Sequence, residues 1–205
     1  MKNSKTVSMV QLALFGAIIF IMAFTPFVGY IPLGFTKATI IHVPVIIGSI
    51  IMGPKKGAFL GFLFGLTSFI NNTINPSVTS FVFTPFYSLG EANGNFFSLV
   101  ICFIPRILVG VVPHYICRLL SKINEHVRYI LAGICGSLTN TLLVMNMIYL
   151  FFGESYGNVQ GVAVDALYSI ILSVICINGI PEAIVAAILT AVVVKAIKTF
   201  RKGNI

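Results

Sequence analysis

A few polar side chains stand inside long apolar stretches, and their types and spacing could do chemistry. Arg106 lies about ten residues into an apolar run, roughly 15 Å from its start at helical rise. Asn178 and Glu182 are four apart and so share one helix face, with Pro181 between them to disturb that helix. Asn146 and Tyr149 stand about one turn apart, and Asn140 lies on the same run. Asn71 and Asn72 close another run, His42 opens a third, and Lys37 precedes it in a polar loop. Ionisable groups within membrane-length apolar segments mark functional sites by default. Arg106 can serve as a structural partner of Glu182 or as a ligand contact, and Lys37 as an anion-capturing group or a solvated loop lysine. His42, Asn71, Asn72, Asn146 and Tyr149 are expected at similar depth. A ring of neutral donors and acceptors around one or two cations suits a small polar, anionic organic molecule.

The chain lacks the constellations that would make it an enzyme. It has no G-x-x-x-x-G-K-[ST] phosphate loop, no H-E-x-x-H and no G-x-S-x-G. Asp165 is its only aspartate, so paired aspartyl chemistry is excluded. Cys102, Cys117, Cys135 and Cys176 all fall in apolar runs without metal-ligand spacing and read as small buried hydrophobes. No catalytic residue, metal or cofactor is therefore expected. Energy for any active transport must come from a partner or an ion gradient.

The elements that must position these residues follow from composition. The chain is 58% hydrophobic and 9% charged over 205 residues, against about 25% charged in an ordinary soluble domain. Its roughly 119 apolar residues nearly match the 120 or so that six membrane helices need. An all-α integral membrane protein is expected, one membrane domain over residues 1–205. Its six transmembrane helices fall at about 7–24, 39–52, 58–70, 96–120, 127–152 and 164–197. The stretch after Lys2 and Lys5 has no convincing cleavage site and reads as a retained first helix rather than a signal peptide.

Thirteen Lys and Arg oppose five Asp and Glu. The basic residues gather in every second gap: Lys2 and Lys5, then Lys55 and Lys56, then Arg118, Lys122 and Arg128, then Lys195, Lys198, Arg201 and Lys202. That alternation is the positive-inside pattern, with both termini cytoplasmic, and it argues against nucleic acid as a partner. Only Lys37 and Arg106 depart from it. The outer connections 25–38, 73–95 and 153–163 are longer and rich in Gly, Pro, Asn and aromatics, as structured lids over an outward-facing site would be. No repeat of useful length appears.

Ala13 and Ala17 form a small-x-x-x-small pair that lets another helix approach closely, whether inside the bundle or from a partner. Together with six spans, cytoplasmic ends and no ATPase motif, that pair resembles the substrate-binding S components of energy-coupling factor vitamin transporters. The most characteristic stretch is His42-Val43-Pro44-Val45-Ile46-Ile47-Gly48, then Met52-Gly53-Pro54-Lys55-Lys56-Gly57 and Gly61–Ser68. The resemblance implies an S-component bundle in a bacterial plasma membrane that captures a water-soluble vitamin from outside. It further implies a transmembrane coupling subunit docked at Ala13 and Ala17, and two ATPase subunits that hydrolyse the ATP. The segments 24–42 and 73–86 look most similar to pantothenate-type members, and a carboxylate-bearing ligand fits Lys37 and Arg106. A riboflavin-specific S component, or from another class a stand-alone secondary transporter or channel, remains open at this stage.

Overall fold

The computed structural model describes residues 4–25, 28–33, 36–162 and 164–203. Eight α-helices account for most of it: α1 (Ser4–Phe24), α2 (His42–Met52), α3 (Pro54–Ile74), α4 (Phe96–Val109), α5 (Val112–Leu119), α6 (Glu125–Gln160), α7 (Val164–Val174) and α8 (Ile180–Gly203). Five segments are long and apolar enough to cross a bilayer: 5–24, 54–74, 96–119, 125–160 and 166–200. The 11-residue α2 is shorter, too short for the 20 or so residues a full span takes. The chain is thus a multi-pass, helical membrane protein, and it carries two short antiparallel hairpins that a purely helical reading does not anticipate. The first pairs β1 (Tyr30–Leu33) with β2 (Thr36–Thr39), the second β3 (Ser88–Leu89) with β4 (Ala92–Asn93).

Element boundaries depart from the expected spans for identifiable reasons. Gly53 takes a left-handed φ of 91°, and Pro54 then occupies the first turn of α3, where a missing N–H costs nothing. The helix therefore begins before Lys55 and Lys56 rather than after them. The span expected at 96–120 breaks at Gly110–Val111 into α4 and α5. The outer connection expected from residue 153 is instead the end of α6, which runs on to Gln160 past a kink at Phe152 (φ −133°, ψ 18°). The last span holds a π-helical turn, Ile175–Gly179, immediately ahead of Pro181. Proline has no N–H to continue the ladder, and the wider turn absorbs the mismatch.

Packing is tightest between α3 and α4. Gly57, Gly61 and Gly65 form one stripe, and a Cβ on Gly57 or Gly61 would overlap the carbonyl oxygens of Gly110 and Arg106. In lipid the hydrophobic effect does not hold helices together, so close backbone approach is a main source of their cohesion. Two apolar clusters flank the middle of the bundle. One joins Ile19, Ile46, Leu60, Phe64, Tyr129 and Val194; the other joins Phe81, Ile101, Met145, Phe152, Leu167 and Ile171.

Candidate functional site

A cavity of about 110 Å³ lies among α3, α4, α6, the π-helical turn and the start of α8. The proline at position 105 organises one wall. Because Pro105 cannot donate to the carbonyl of Ile101, that oxygen is left without its helical partner. Arg106 supplies one: its Nη1 donates to the Ile101 oxygen at 2.8 Å. The guanidinium is then held 5.0 Å from the ring centre of Phe83 and 5.7 Å from that of Phe64. It is 6% exposed, and its Nε is buried without a hydrogen-bond partner.

Opposite, Glu182 reaches in from the start of α8. Its Oε1 accepts from the backbone N–H of Thr39 at 2.6 Å and its Oε2 from Thr141 Oγ1 at 3.2 Å. Thr39 ends β2, so one carboxylate fastens the first hairpin to two helices. Arg106 and Glu182 line one cavity without forming an ion pair; the ion pair among the described residues is Arg128–Glu125, 3.6 Å apart and outside the cavity. A buried cation whose direct hydrogen-bond partner is a neutral carbonyl keeps further N–H donors that a carboxylate could take.

The remaining walls divide by chemistry. Asn72, Ser77 and Thr79, with Asn140, Thr141 and Asn178, supply neutral polar groups. Val144, Met145, Ile148 and Val174 supply an apolar face. Asn72 holds its place through Nδ2 donating to the Ser68 carbonyl at 2.8 Å, while its Oδ1 accepts from Ser80 Oγ at 2.8 Å. Ser80 Oγ also accepts from Ser77 N, so this asparagine anchors the loop that caps the cavity. The loop is fixed again at α4, where Asn95 and Ser98 form a capping box and Ser98 Oγ donates to the Phe81 carbonyl at 2.7 Å.

Of the residues singled out from sequence, Asn72, Arg106, Asn140, Asn178 and Glu182 converge on this cavity. Four others do not line it. Asn71 Nδ2 donates to the Ala23 carbonyl and ties α3 to α1. Asn146 Nδ2 turns back to the Leu142 carbonyl of its own helix at 2.7 Å. Tyr149 is half-exposed and stacks edge-on with Tyr168, 5.3 Å between centres. His42 is buried at the first turn of α2, outside the cavity lining. The side chain of Lys37 lies outside the described residues. Sequence reasoning passed over Thr39, Thr141, Phe83 and Tyr156 as contributors. The readable signal was the stripe Asn140, Thr141, Val144, Met145, Ile148, which repeats at three and four residues and fixes the inward phase of α6. Asn146, two residues past Val144, points roughly 160° away from it.

The helical membrane fold agrees with two comparisons. Residues 7–194 match the family described as ECF transporter, substrate-specific component, and the chain belongs to that family. It is 39% identical, over the full length of both chains, to the pantothenic acid transporter PanT of Lactococcus lactis subsp. cremoris (strain MG1363). It is 31% identical to the pantothenate transporter PanT of Leuconostoc mesenteroides subsp. mesenteroides, covering 94% of this chain and 93% of that one.

Proposed function

We propose that the chain is the pantothenate-binding S component of an energy-coupling factor importer. The supporting observation is the buried Arg106 guanidinium, which faces the cavity with a backbone carbonyl, not a carboxylate, as its direct partner. Pantothenate carries a carboxylate, an amide, two hydroxyls and a geminal dimethyl group. The carboxylate meets Arg106 as a charge-assisted pair. The amide and hydroxyls fall among Thr39, Asn72, Asn140, Thr141, Asn178 and Glu182, and the dimethyl group lies on the Val144, Met145 and Ile148 wall. The names of the two relatives support the same ligand.

In this reading the membrane is the bacterial cell membrane, crossed six times by one domain with both termini cytoplasmic. The short α2 with its hairpin makes up the sixth crossing, and the vitamin enters from outside. The chain catalyses nothing and holds no cofactor. A transmembrane coupling subunit docks on α1 at Ala13 and Ala17, both exposed, and two ATPase subunits hydrolyse the ATP.

The test is ligand binding by the purified protein in detergent, without ATP. One equivalent of pantothenate should bind and raise the melting temperature in proportion to the logarithm of its concentration. Preference for riboflavin across a panel of water-soluble vitamins, or binding of none, would overturn the assignment. Uptake into liposomes by the chain alone would instead identify a stand-alone transporter.

A further inference from the structure

The geometry points to a second site, at the opposite end of α8 from Glu182, that holds the phosphate headgroup of an anionic membrane lipid. The site is a separate, open concavity between α5, the start of α6 and the end of α8. Its centre is Tyr129, which is 1% exposed. Two cations converge on that one hydroxyl: Lys198 Nζ at 2.7 Å and Arg128 Nη2 at 3.4 Å. Both also lie against its ring, 4.9 and 5.3 Å from the centre. Arg118 and His114 complete the polar wall, and Ile50 closes it with an apolar surface.

Charge balance is what makes this a site rather than a solvated basic face. Like charges gathered on one neutral acceptor repel unless an anion joins them. The nearby carboxylate, Glu125, touches Arg128 at 3.6 Å and is itself largely exposed. Among the described residues it leaves Lys198 without an acidic partner, and the Nε of Arg128 is buried without a hydrogen-bond partner. Lys195 nearby is taken by His126 Nε2 at 2.9 Å. A phosphodiester supplies two acceptor oxygens and one negative charge, which matches an ammonium and a guanidinium about a tyrosine hydroxyl.

Position selects a lipid as the source. Lys198 is sixteen residues beyond Glu182, about 24 Å along the helix, so this site and the vitamin cavity lie nearly one hydrocarbon thickness apart. That depth is a membrane interface, where tyrosine is enriched and basic pockets between helices take lipid headgroups. Leu119, Ile123 and Val127 beside it are exposed and offer apolar surface to the acyl chains.

The experiment measures binding of phosphatidylglycerol to the full chain in detergent, by native mass spectrometry and by melting temperature. Phosphatidylcholine and inorganic phosphate serve as comparison probes. Phosphatidylglycerol should bind and stabilise, with phosphatidylcholine at least tenfold weaker and inorganic phosphate without effect at the same concentration. Lys198→Gln and Arg128→Gln should each lower phosphatidylglycerol affinity at least fivefold, and Lys55→Gln, an exposed lysine on α3, should leave it unchanged. Retained helical circular dichroism shows that each variant folds. Equal binding of the two lipids, or unchanged affinity in folded Lys198→Gln, would overturn the site. Stabilisation by inorganic phosphate alone would make it an ion site and overturn the lipid source. If phosphatidylglycerol does not bind and Lys198→Gln instead loses association with the coupling subunit, the surface belongs to a protein partner and the lipid proposal fails.

Discussion

Arg106 donates from Nη1 to the carbonyl oxygen of Ile101, five residues earlier on the same helix, at 2.8 Å. The bond exists because Pro105 leaves that carbonyl free, so a helix defect and a site residue are one device. It spends one of five N–H donors and leaves the group 5.7 Å from the ring centre of Phe64 and 5.0 Å from that of Phe83.

Removing the charge tests the anion role. Arg106→Gln should weaken pantothenate binding about a hundredfold, near the upper end of what a charged hydrogen-bonded group contributes. Arg106→Lys should recover only part of this, because an ammonium cannot hold the Ile101 carbonyl and a carboxylate with the same planar fork. Calorimetric titration reads both, and a loss smaller than threefold in Arg106→Gln would remove the carboxylate from this wall.

Pro105→Ala addresses the device itself. The new N–H completes the helical ladder to Ile101 and competes with the guanidinium for that oxygen. Unchanged or slightly higher melting temperature together with roughly three- to tenfold weaker binding is the expected pair of results, and affinity equal to the parent would show that the proline positions nothing.

Glu182→Gln should affect departure of the ligand more than its arrival. The carboxylate's bond to the Thr39 amide fastens the first hairpin, and the substitution turns a charge-assisted bond into a neutral one. Loss of about 1.4 kcal/mol should accelerate release roughly tenfold, with a smaller change in the association rate. Stopped-flow chase with unlabelled vitamin separates the two rates.

Backbone contact between α3 and α4 makes a stability prediction. Gly61→Val places a Cβ against the Arg106 carbonyl oxygen and adds two methyl groups beyond it. Overpacking of about 2–3 kcal/mol would lower the melting temperature by roughly 4–12 °C in a chain of this size. A melting temperature within 1 °C of the parent would mean that the helices are not in backbone contact.

Coupling to partners should separate from binding. Ala13→Trp and Ala17→Trp put bulk on an exposed face of α1 away from the cavity, so uptake in reconstituted vesicles should vanish while vitamin affinity stays within twofold. Loss of affinity in either variant would place those alanines inside the monomer's packing.

The division between what was legible and what was not follows from helix phase and chain defects. Apolar runs mark the helices directly, whereas Lys55, Arg118 and Lys198, which read as gaps, lie within the terminal turns of α3, α5 and α8. Arg106, Asn178 and Glu182 stand out because charge and amide groups are costly in lipid. Asn146 and Tyr149 misled because depth was inferred without phase, and Asn146 can satisfy itself on Leu142. Thr141 was passed over because threonine is common in helices facing either way. Thr39 acts through its amide N–H, which every residue but proline has, so no side-chain signal distinguishes it. The hairpins were hidden because each has strands of only two to four residues.

The glycine stripe on α3 has a consequence for changing what the site accepts. With no side chains between Gly57 or Gly61 and α4, the wall bearing Arg106 is a fixed plate. The facing wall is built on a π turn, a proline and a kinked α6, whose backbone is already irregular. A library for new ligands should therefore keep the guanidinium as a common handle for acids. Diversity belongs at Thr141, Met145, Asn178 and Val174, where the scaffold has room to give.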